Sequence, residues 1–300
     1  MSGVIAMLPT GELREAVGEV PGVEILVGDP GNRAGEVEFL VADYVTSATT
    51  LANLSAFGDL RVVQLQSAGY DGMLELMPDG VKLSNATGVH DDATAEMALG
   101  MTIASLRGIP EAVRQHGSWV RMPRRRSLAD SRVLILGYGS IGRAIAERMV
   151  ASKAVVTAVA STPRPDDLLS QVHGIGEIDD LLPDTDVVVN VLPHLESTDK
   201  LVDDAFLSRL ADGALVVNIG RGPTLDTDAV IAHAGRLRFA LDVTDPEPLP
   251  DRHPLWEAPD VLITPHAGGG TTAMLPRMAA LVRTQLERYV AGEPLRNTVN

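Results

Sequence analysis

Short apolar runs recur along the chain, and polar or helix-favouring stretches separate them. In the first hundred residues the runs fall at 4–8, 23–27, 37–41, 62–65 and 81–83, with helix-favouring stretches such as 11–17 and 51–57 between them. A second series follows at 133–136, 155–160, 187–191, 215–219, 239–243 and 261–264. Each run is apolar enough to serve as a strand buried on both faces. Strands alternating with helices predict a mainly parallel sheet with helices on both sides.

Two helical stretches stand apart from this rhythm. Asp91 and Asp92 place negative charge where a helix N-terminus is positive. Residues 93–106 are then apolar on nearly every side except Thr94, Glu96, Thr102 and Ser105, the pattern of a buried helix. Gly108, Ile109 and Pro110 end it, and 117–127 reads as a loop. The last helical stretch, 272–290, is predicted to return to the first part of the chain. Together these give a two-domain α/β protein whose first domain is discontinuous. No internal repeat or low-complexity segment interrupts it.

Composition narrows the function. The 300 residues carry 40 acids against 25 lysines and arginines, a net charge of −15. That disfavours nucleic acids and anionic membranes, which need a basic face. Arg121, Arg124, Arg125 and Arg126 form the one local exception. The chain has no cysteine, so disulfides, thiolate metal sites and a cysteine nucleophile are excluded. No metal site is expected. The N-terminal residues lack a basic leader region and break at Pro9, and no apolar run reaches the roughly 18 residues of a membrane span. A cytoplasmic protein is expected.

The first sharp motif is Gly137-Tyr138-Gly139-Ser140-Ile141-Gly142, with a strand run before it and a helix-favouring stretch after it. In a G-x-G-x-x-G, the first glycine permits the tight turn, the second admits a pyrophosphate, and the third lets helix and strand approach closely. The anion would sit on the free N–H groups around Ser140 and Ile141. Alone, the triplet is equally a glycine-rich turn; in this context it predicts dinucleotide binding. An acid about 18 residues past the third glycine would favour NAD by binding the ribose hydroxyls. Here that position is Ala160, followed by Ser161, Thr162, Pro163 and Arg164, with no acid before Asp166. Two hydroxyls and an arginine would hold a 2′-phosphate that a carboxylate would repel. NADP is therefore predicted, with NAD as the alternative.

Three further segments put polar residues just beyond strand runs, where open α/β sheets bind ligands. Arg221 follows 215–219; Asp242 and Glu247 follow the next run; His266 and Gly268 follow the last. Arg, Glu and His in this order, after a G-x-G-x-x-G, resemble the D-isomer-specific 2-hydroxyacid dehydrogenases. The resemblance extends to Gln66-Ser67-Ala68-Gly69-Tyr70-Asp71, Ala95-Glu96, Gly117-Ser118-Trp119 and Val191-Leu192-Pro193. The wording around Asp242 to Pro250, and Ser161 to Pro165, is most similar to the glyoxylate/hydroxypyruvate reductases, which typically prefer NADPH.

The resemblance implies a Rossmann cofactor domain at 99–271, inserted into a flavodoxin-like substrate domain made of 1–98 and 272–300. It makes His266 the acid/base, a role suited to an imidazole that exchanges protons near neutrality. Glu247 would orient the imidazole and stabilise its charged form, and Arg221 would hold the substrate carboxylate. Backbone N–H groups of Ala68 and Gly69 would take the carboxylate's other end. Leu192 and Pro193 would line the adenine–ribose side, and Asp242 would face the nicotinamide carboxamide. Thr198, Ile219 and Gly268 complete the implied cofactor set. A homodimer is also implied. Taken singly, His266 reads as a loop histidine, Arg221 as a surface arginine and Glu247 as a turn acid; their order and placement favour chemistry. The remaining histidines, His90, His116, His173, His194, His233 and His253, read as structural or surface residues, with His194 beside the cofactor segment.

Departures from the family pattern narrow the substrate. No arginine or lysine lies between Arg33 and Arg61, which argues against 3-phosphoglycerate unless Arg121–Arg126 supply the charge. A C-terminal regulatory domain is not expected, and Glu247 disfavours the formate-dehydrogenase branch. Thr46, Ser47, Thr49 and Thr50 suit a small polar 2-oxo acid such as glyoxylate or hydroxypyruvate. The rivals are a dehydrogenase for a bulkier 2-oxo acid and a dinucleotide-sensing regulatory protein.

Overall fold

In the first sheet, alternate residues of each central strand feed opposite cores. A computed structural model describes residues 3–44, 47–115 and 117–300. Its contacts divide the chain into two units, 1–90 with 271–300, and 91–270. The first unit holds β1 (Val4–Leu8), α1 (Gly11–Val17), β2 (Val23–Val27), β3 (Phe39–Val41), α2 (Ser47–Leu51), β4 (Val62–Gln64) and β5 (Lys82–Ser84). The strands are parallel in the order β2-β1-β3-β4-β5, the flavodoxin-like doubly wound order. Phe39, Val41 and Val62 enter one apolar cluster, while Leu40 and Val63 enter the other. Both faces are thus buried, and each fully buried Val or Leu contributes about 1.5–3 kcal/mol.

The second unit opens with α3 (Asp91–Arg107) and α4 (Ile109–Val113). It continues through β6 (Arg132–Leu136), α5 (Ser140–Ala151), β7 (Val155–Ala160), β8 (Arg164–Asp166), β9 (Ser170–Gly174) and α6 (Ile178–Leu181). The remainder is β10 (Val187–Asn190), α7 (Asp204–Ser208), β11 (Leu215–Asn218), α8 (Thr227–His233), β12 (Arg238–Leu241) and β13 (Val261–Ile263). The sheet order is β13-β12-β11-β10-β6-β7-β9-β8. Apart from β8 this is a doubly wound parallel sheet whose order reverses between β6 and β10, which opens a crevice at the strands' carboxyl ends. The chain then returns to the first unit as α9 (Met274–Ala291), whose Met278, Val282 and Leu286 join Ala6, Leu8 and Leu13 in its core.

Three features refine the expected pattern. A boundary between 98 and 99 would cut α3, which runs unbroken from Asp91 and joins the second unit's core through Ala95, Ala98 and Met101. The units therefore divide at 90/91 and 270/271. The sheet is mainly parallel as expected, and β8 departs from it by pairing antiparallel with β9 at the sheet edge. Neither strand carries a long apolar run, and an edge tolerates Pro165, which cannot donate to a ladder. The stretch at 51–57 is helical only to Leu51, followed by a single turn of 3₁₀ helix at Leu54–Ala56.

Within the arginine cluster, Arg125 pairs with Glu111 at 3.4 Å and Arg126 with Asp186. Both acids belong to the same unit as the arginines. No helix among the described residues is long and apolar enough to cross a membrane.

Candidate active site

Arg221, Asp242 and His266 stand just past the carboxyl ends of β11, β12 and β13, three neighbouring parallel strands. Two buried asparagines end strands on this edge and hold the backbone there. Asn218 Oδ1 accepts from Gly220 N at 3.1 Å and from Asn190 Nδ2 at 3.2 Å. Asn190 Nδ2 also donates to Thr224 Oγ1 at 2.6 Å. Thr224 Oγ1 and Asn218 Nδ2 in turn donate to the Arg221 carbonyl, at 2.6 and 3.1 Å. Asn190, Asn218 and Thr224 are fully buried. Buried polar groups bonded in this way fix a backbone firmly. The Arg221 guanidinium donates through Nη1 to the Gly220 carbonyl at 2.8 Å.

A second brace shapes the turn that carries His266. Asp242, buried, accepts from Thr264 Oγ1 at 2.5 Å and from Ala267 N at 2.9 Å on Oδ1. Its Oδ2 accepts from Gly268 N at 2.9 Å. The His266 N–H donates to the Asp242 carbonyl at 2.7 Å, and His266 has a left-handed φ of 50°. Asp242 therefore acts first as the clamp of this turn. His266 Nδ1 lies 2.6 Å from Glu247 Oε1, both side chains being partly exposed. A carboxylate accepts, so Nδ1–H donates to it. That leaves Nε2, which has no partner among the described residues.

The glycine motif forms the turn between β6 and α5. A Cβ on Gly142 would stand 2.0 Å from the Gly137 carbonyl oxygen, so only glycine fits. Among the described residues, the N–H groups of Ser140, Ile141 and Gly142 find no acceptor, as expected of a helix N-terminus awaiting an anion. Beside them lies a cavity of about 290 Å³ that Gly137, Gly139, Ser161, Arg164, Leu192, Pro193 and Thr198 help to line. Ile175, Ile178 and Leu201 give it apolar walls suited to a planar base. These residues fit a nicotinamide dinucleotide, with pyrophosphate at the start of α5 and the adenosine side in the cavity.

Some expected cofactor residues also have partners within the protein. Thr162 does not line this cavity; its carbonyl accepts from Arg164 Nη1 at 3.3 Å. Thr198 Oγ1 closes its own loop, donating to the Pro193 carbonyl at 2.7 Å and accepting from Leu195 N at 2.8 Å. Ile219 is buried in the unit's core, and Gly268 lies against it.

In the first unit, every carbonyl from Gln66 to Gly69 has a donor. His90 Nε2 serves Gln66 at 2.6 Å, Ala86 N serves Ser67 at 2.8 Å, Asn85 Nδ2 serves Ala68 at 2.8 Å, and Ser67 Oγ serves Gly69 at 2.7 Å. The N–H groups of Ala68 and Gly69 donate to nothing among the described residues. An anion is the natural acceptor for such a pair.

Other histidines bond locally: His173 to Glu177, His194 to Asp199 and His233 to Asp204, while His253 accepts from Leu255 N. Thr46 and His116 lie outside the described residues, as does the side chain of Ser47. The bracing residues Asn190, Thr224 and Thr264 escaped sequence reasoning. The usable signal was an asparagine closing each of two otherwise apolar strands, β10 and β11.

Residues 99–268 match the family described as D-isomer specific 2-hydroxyacid dehydrogenase, NAD binding domain. A human glyoxylate reductase/hydroxypyruvate reductase is 29% identical over 255 residues, covering 80% of this chain and 77% of that protein. A hydroxyphenylpyruvate reductase from Plectranthus scutellarioides is 29% identical over 81% of this chain and 79% of its own. Among solved structures, the NADPH-dependent glyoxylate/hydroxypyruvate reductase of Sinorhizobium meliloti, in complex with NADP and sulfate, superposes with a TM-score of 0.83. It is 25% identical and covers 100% of this chain and 98% of that one. The chain belongs to the D-isomer specific 2-hydroxyacid dehydrogenase family and is an NAD(P)-dependent enzyme.

Proposed function

We propose that this enzyme reduces a small 2-oxo acid, glyoxylate or hydroxypyruvate, to the D-2-hydroxy acid, and prefers NADPH as the reductant. The observation that carries the reading is the 2.6 Å bond from His266 Nδ1 to Glu247, with His266 following β13, Arg221 following β11 and only β12 between those strands. A dihydronicotinamide cofactor, held by the turn before α5 and the cavity beside it, would supply the hydride that the carbonyl carbon takes up. His266 Nε2–H gives a proton to the carbonyl oxygen as negative charge grows there, and the two transfers together balance the reduction. Glu247 holds the ring in the orientation that presents Nε2 and offsets the positive charge of the imidazolium. Arg221 binds the carboxylate with its planar fork and draws electron density from the adjacent carbonyl. The N–H groups of Ala68 and Gly69, which find no acceptor among the described residues, are donors of the kind that a carboxylate takes.

NADPH is favoured because Ser161 and Arg164 line the cavity where an NAD enzyme would present an acid. The relatives named for glyoxylate or hydroxypyruvate support the substrate class, as does the lack of a basic residue between Arg33 and Arg61. The relative named for hydroxyphenylpyruvate makes a bulkier acid the second reading. The family resemblance also favours a homodimer. The test is to follow oxidation of NADPH and NADH against glyoxylate, hydroxypyruvate, pyruvate and hydroxyphenylpyruvate. Fastest turnover with NADPH and a small acid is expected. Turnover only with the aromatic acid would replace the substrate, and cofactor binding without turnover on any acid would favour a sensor.

A further inference from the structure

Arg164 lines the cofactor cavity and Arg143 lies beyond Asp166, the partner of the Tyr138 hydroxyl; the partners of the two arginines differ. Arg143 is crowded by acids: Asp167 at 2.7 Å, Asp166 at 3.1 Å and Glu147 at 3.3 Å. Arg164 has no carboxylate partner among the described residues. Its Nη2 donates to the Tyr138 carbonyl at 2.7 Å, its Nη1 to the Thr162 carbonyl, and its guanidinium carbon stands 5.7 Å from the centroid of the Tyr138 ring. The main chain and ring of Tyr138, with the Thr162 carbonyl, thus hold a cation that meets no carboxylate among the described residues.

Tyr138 is itself held from its other end. Its hydroxyl donates to Asp166 Oδ1 at 3.0 Å. The same oxygen accepts from Leu168 N and Leu169 N, at 3.0 and 2.9 Å, and Asp166 Oδ2 faces Arg143. Every oxygen of Asp166 is committed. Burial pushes its carboxyl up, yet the bonds from Leu169 N, the Tyr138 hydroxyl and Leu168 N, with the charge of Arg143, hold it below the usual carboxylate range. Burial, then the bond to Asp166, pushes the Tyr138 hydroxyl up to about 12, so it stays a donor at any physiological pH.

We propose that Tyr138, clamped by Asp166 and Arg143, is the positioning residue that sets cofactor choice: it presents Arg164 to the 2′-phosphate of NADPH. The arrangement has two effects. It holds the first acid beyond β7 in a network of donors and outside the cavity lining, which would offset a charge that repels the phosphate. It also fixes Arg164 before the cofactor arrives, so less side-chain freedom is lost on binding. The tyrosine between the first two glycines of the motif thereby carries specificity, although that position is variable in the motif as written.

This inference rests on the NADPH preference proposed above, so the test separates the two. Dissociation constants for NADPH and NADH are measured by fluorescence titration on the full chain, without substrate. In the wild type and in Arg164→Gln, the cofactor reading alone is at stake. Losing charge-assisted bonds to the phosphate should weaken NADPH about 10- to 100-fold and leave NADH within about twofold. Equal wild-type affinities, or equal weakening of both cofactors, would overturn that reading.

Tyr138→Leu, Tyr138→Phe and Asp166→Asn then test the positioning role. Tyr138→Leu removes the ring and should lower the NADPH-to-NADH preference about tenfold. Tyr138→Phe keeps the ring and should restore part of it. In Arg164→Gln, adding Asp166→Asn should cause no further loss of selectivity, because asparagine carries no charge to repel the phosphate and the clamp's other effect runs through Arg164. If Arg164→Gln is selective but Tyr138→Leu and Asp166→Asn keep the wild-type ratio, the positioning role is wrong and the NADPH reading stands. Should Asp166→Asn fail to fold, the more exposed Arg143→Gln probes the same clamp and is read by the same ratio.

Discussion

Gly222 passes so close to Thr244 that a Cβ on the glycine would stand 1.9 Å from the threonine's carbonyl oxygen. The amide nitrogen of Asp245 would be 2.9 Å from the same atom. This contact locks the segment that carries Arg221 against the segment that leads to Glu247. Neither can yield cheaply, since Arg221 is tied to Asn218 and Thr224, and the Thr244 side chain bonds the Pro246 carbonyl at 2.9 Å. Gly222→Ala should therefore cost stability by about 1–3 kcal/mol, the usual penalty of overpacking, and reduce turnover more than cofactor affinity. Urea denaturation and steady-state kinetics on the purified variant check both halves.

The proton donor and its partner give a graded pair of variants. His266→Ala should lower turnover by about 10²- to 10⁴-fold, the worth of a positioned acid/base, while the dissociation constant for NADPH stays within about twofold. Glu247→Gln keeps the shape of the side chain but removes the charge facing the imidazolium. Its loss in turnover should be smaller than that of His266→Ala. Single-turnover rates would settle the order, and a larger loss in Glu247→Gln would mean that the glutamate touches the reacting atoms itself.

Much of this was legible in the chain. Runs such as 187–191 and 215–219 announce strands because every position but one asparagine in each is apolar, and both faces of β10 and β11 are indeed buried. The glycine motif, Arg221, Glu247 and His266 were readable because each sits at a strand end within a known order. The β8–β9 hairpin was not, because edge strands need no apolar face and Arg164-Pro165-Asp166 resembles a turn. Nor were the braces. Thr224 reaches Asn190 across 34 residues and Asp242 reaches Gly268 across 26, and no local pattern encodes a partner at such separations. Asp166 illustrates the limit. The sequence shows an acid arriving late, whereas only its four bonds reveal that its carboxylate is taken up by donors of the protein itself.

Asp186 makes acid sensitivity predictable. It precedes β10, and its Oδ2 accepts from Arg132 N at 2.8 Å while Arg126 pairs with Oδ1. Burial pushes the carboxyl up, but the Arg132 N–H, the Arg132 guanidinium and Arg126 outweigh it and hold the group below the usual carboxylate range. A lowered folded-state value means that the stabilisation is complete above the unfolded value near 4 and is lost as pH falls through the lower one. Asp186→Asn should thus be about 1–3 kcal/mol less stable than wild type at pH 7, with the gap closing on acidification. Urea midpoints at pH 7 and at successively lower pH would show it. A gap that stays constant across the acid range would rule out the charge as its source.

Thr224 lets the geometry of Arg221 be tested without touching the guanidinium. Thr224→Val removes the hydroxyl that donates to the Arg221 carbonyl and deprives buried Asn190 Nδ2 of its 2.6 Å acceptor. An unsatisfied buried donor costs about 1–3 kcal/mol, so the variant should fold but be less stable. If Arg221 anchors the substrate carboxylate, its loosened backbone should raise the KM for the 2-oxo acid. The dissociation constant for NADPH should hold, because the cavity beside Gly137 does not include Thr224. Arg221→Lys gives the complementary result: it keeps the charge and loses the two-pronged fit, so KM should rise and kcat fall together. If Thr224→Val weakened NADPH as much as the 2-oxo acid, the brace would serve the whole sheet edge, and Arg221 would need another assignment.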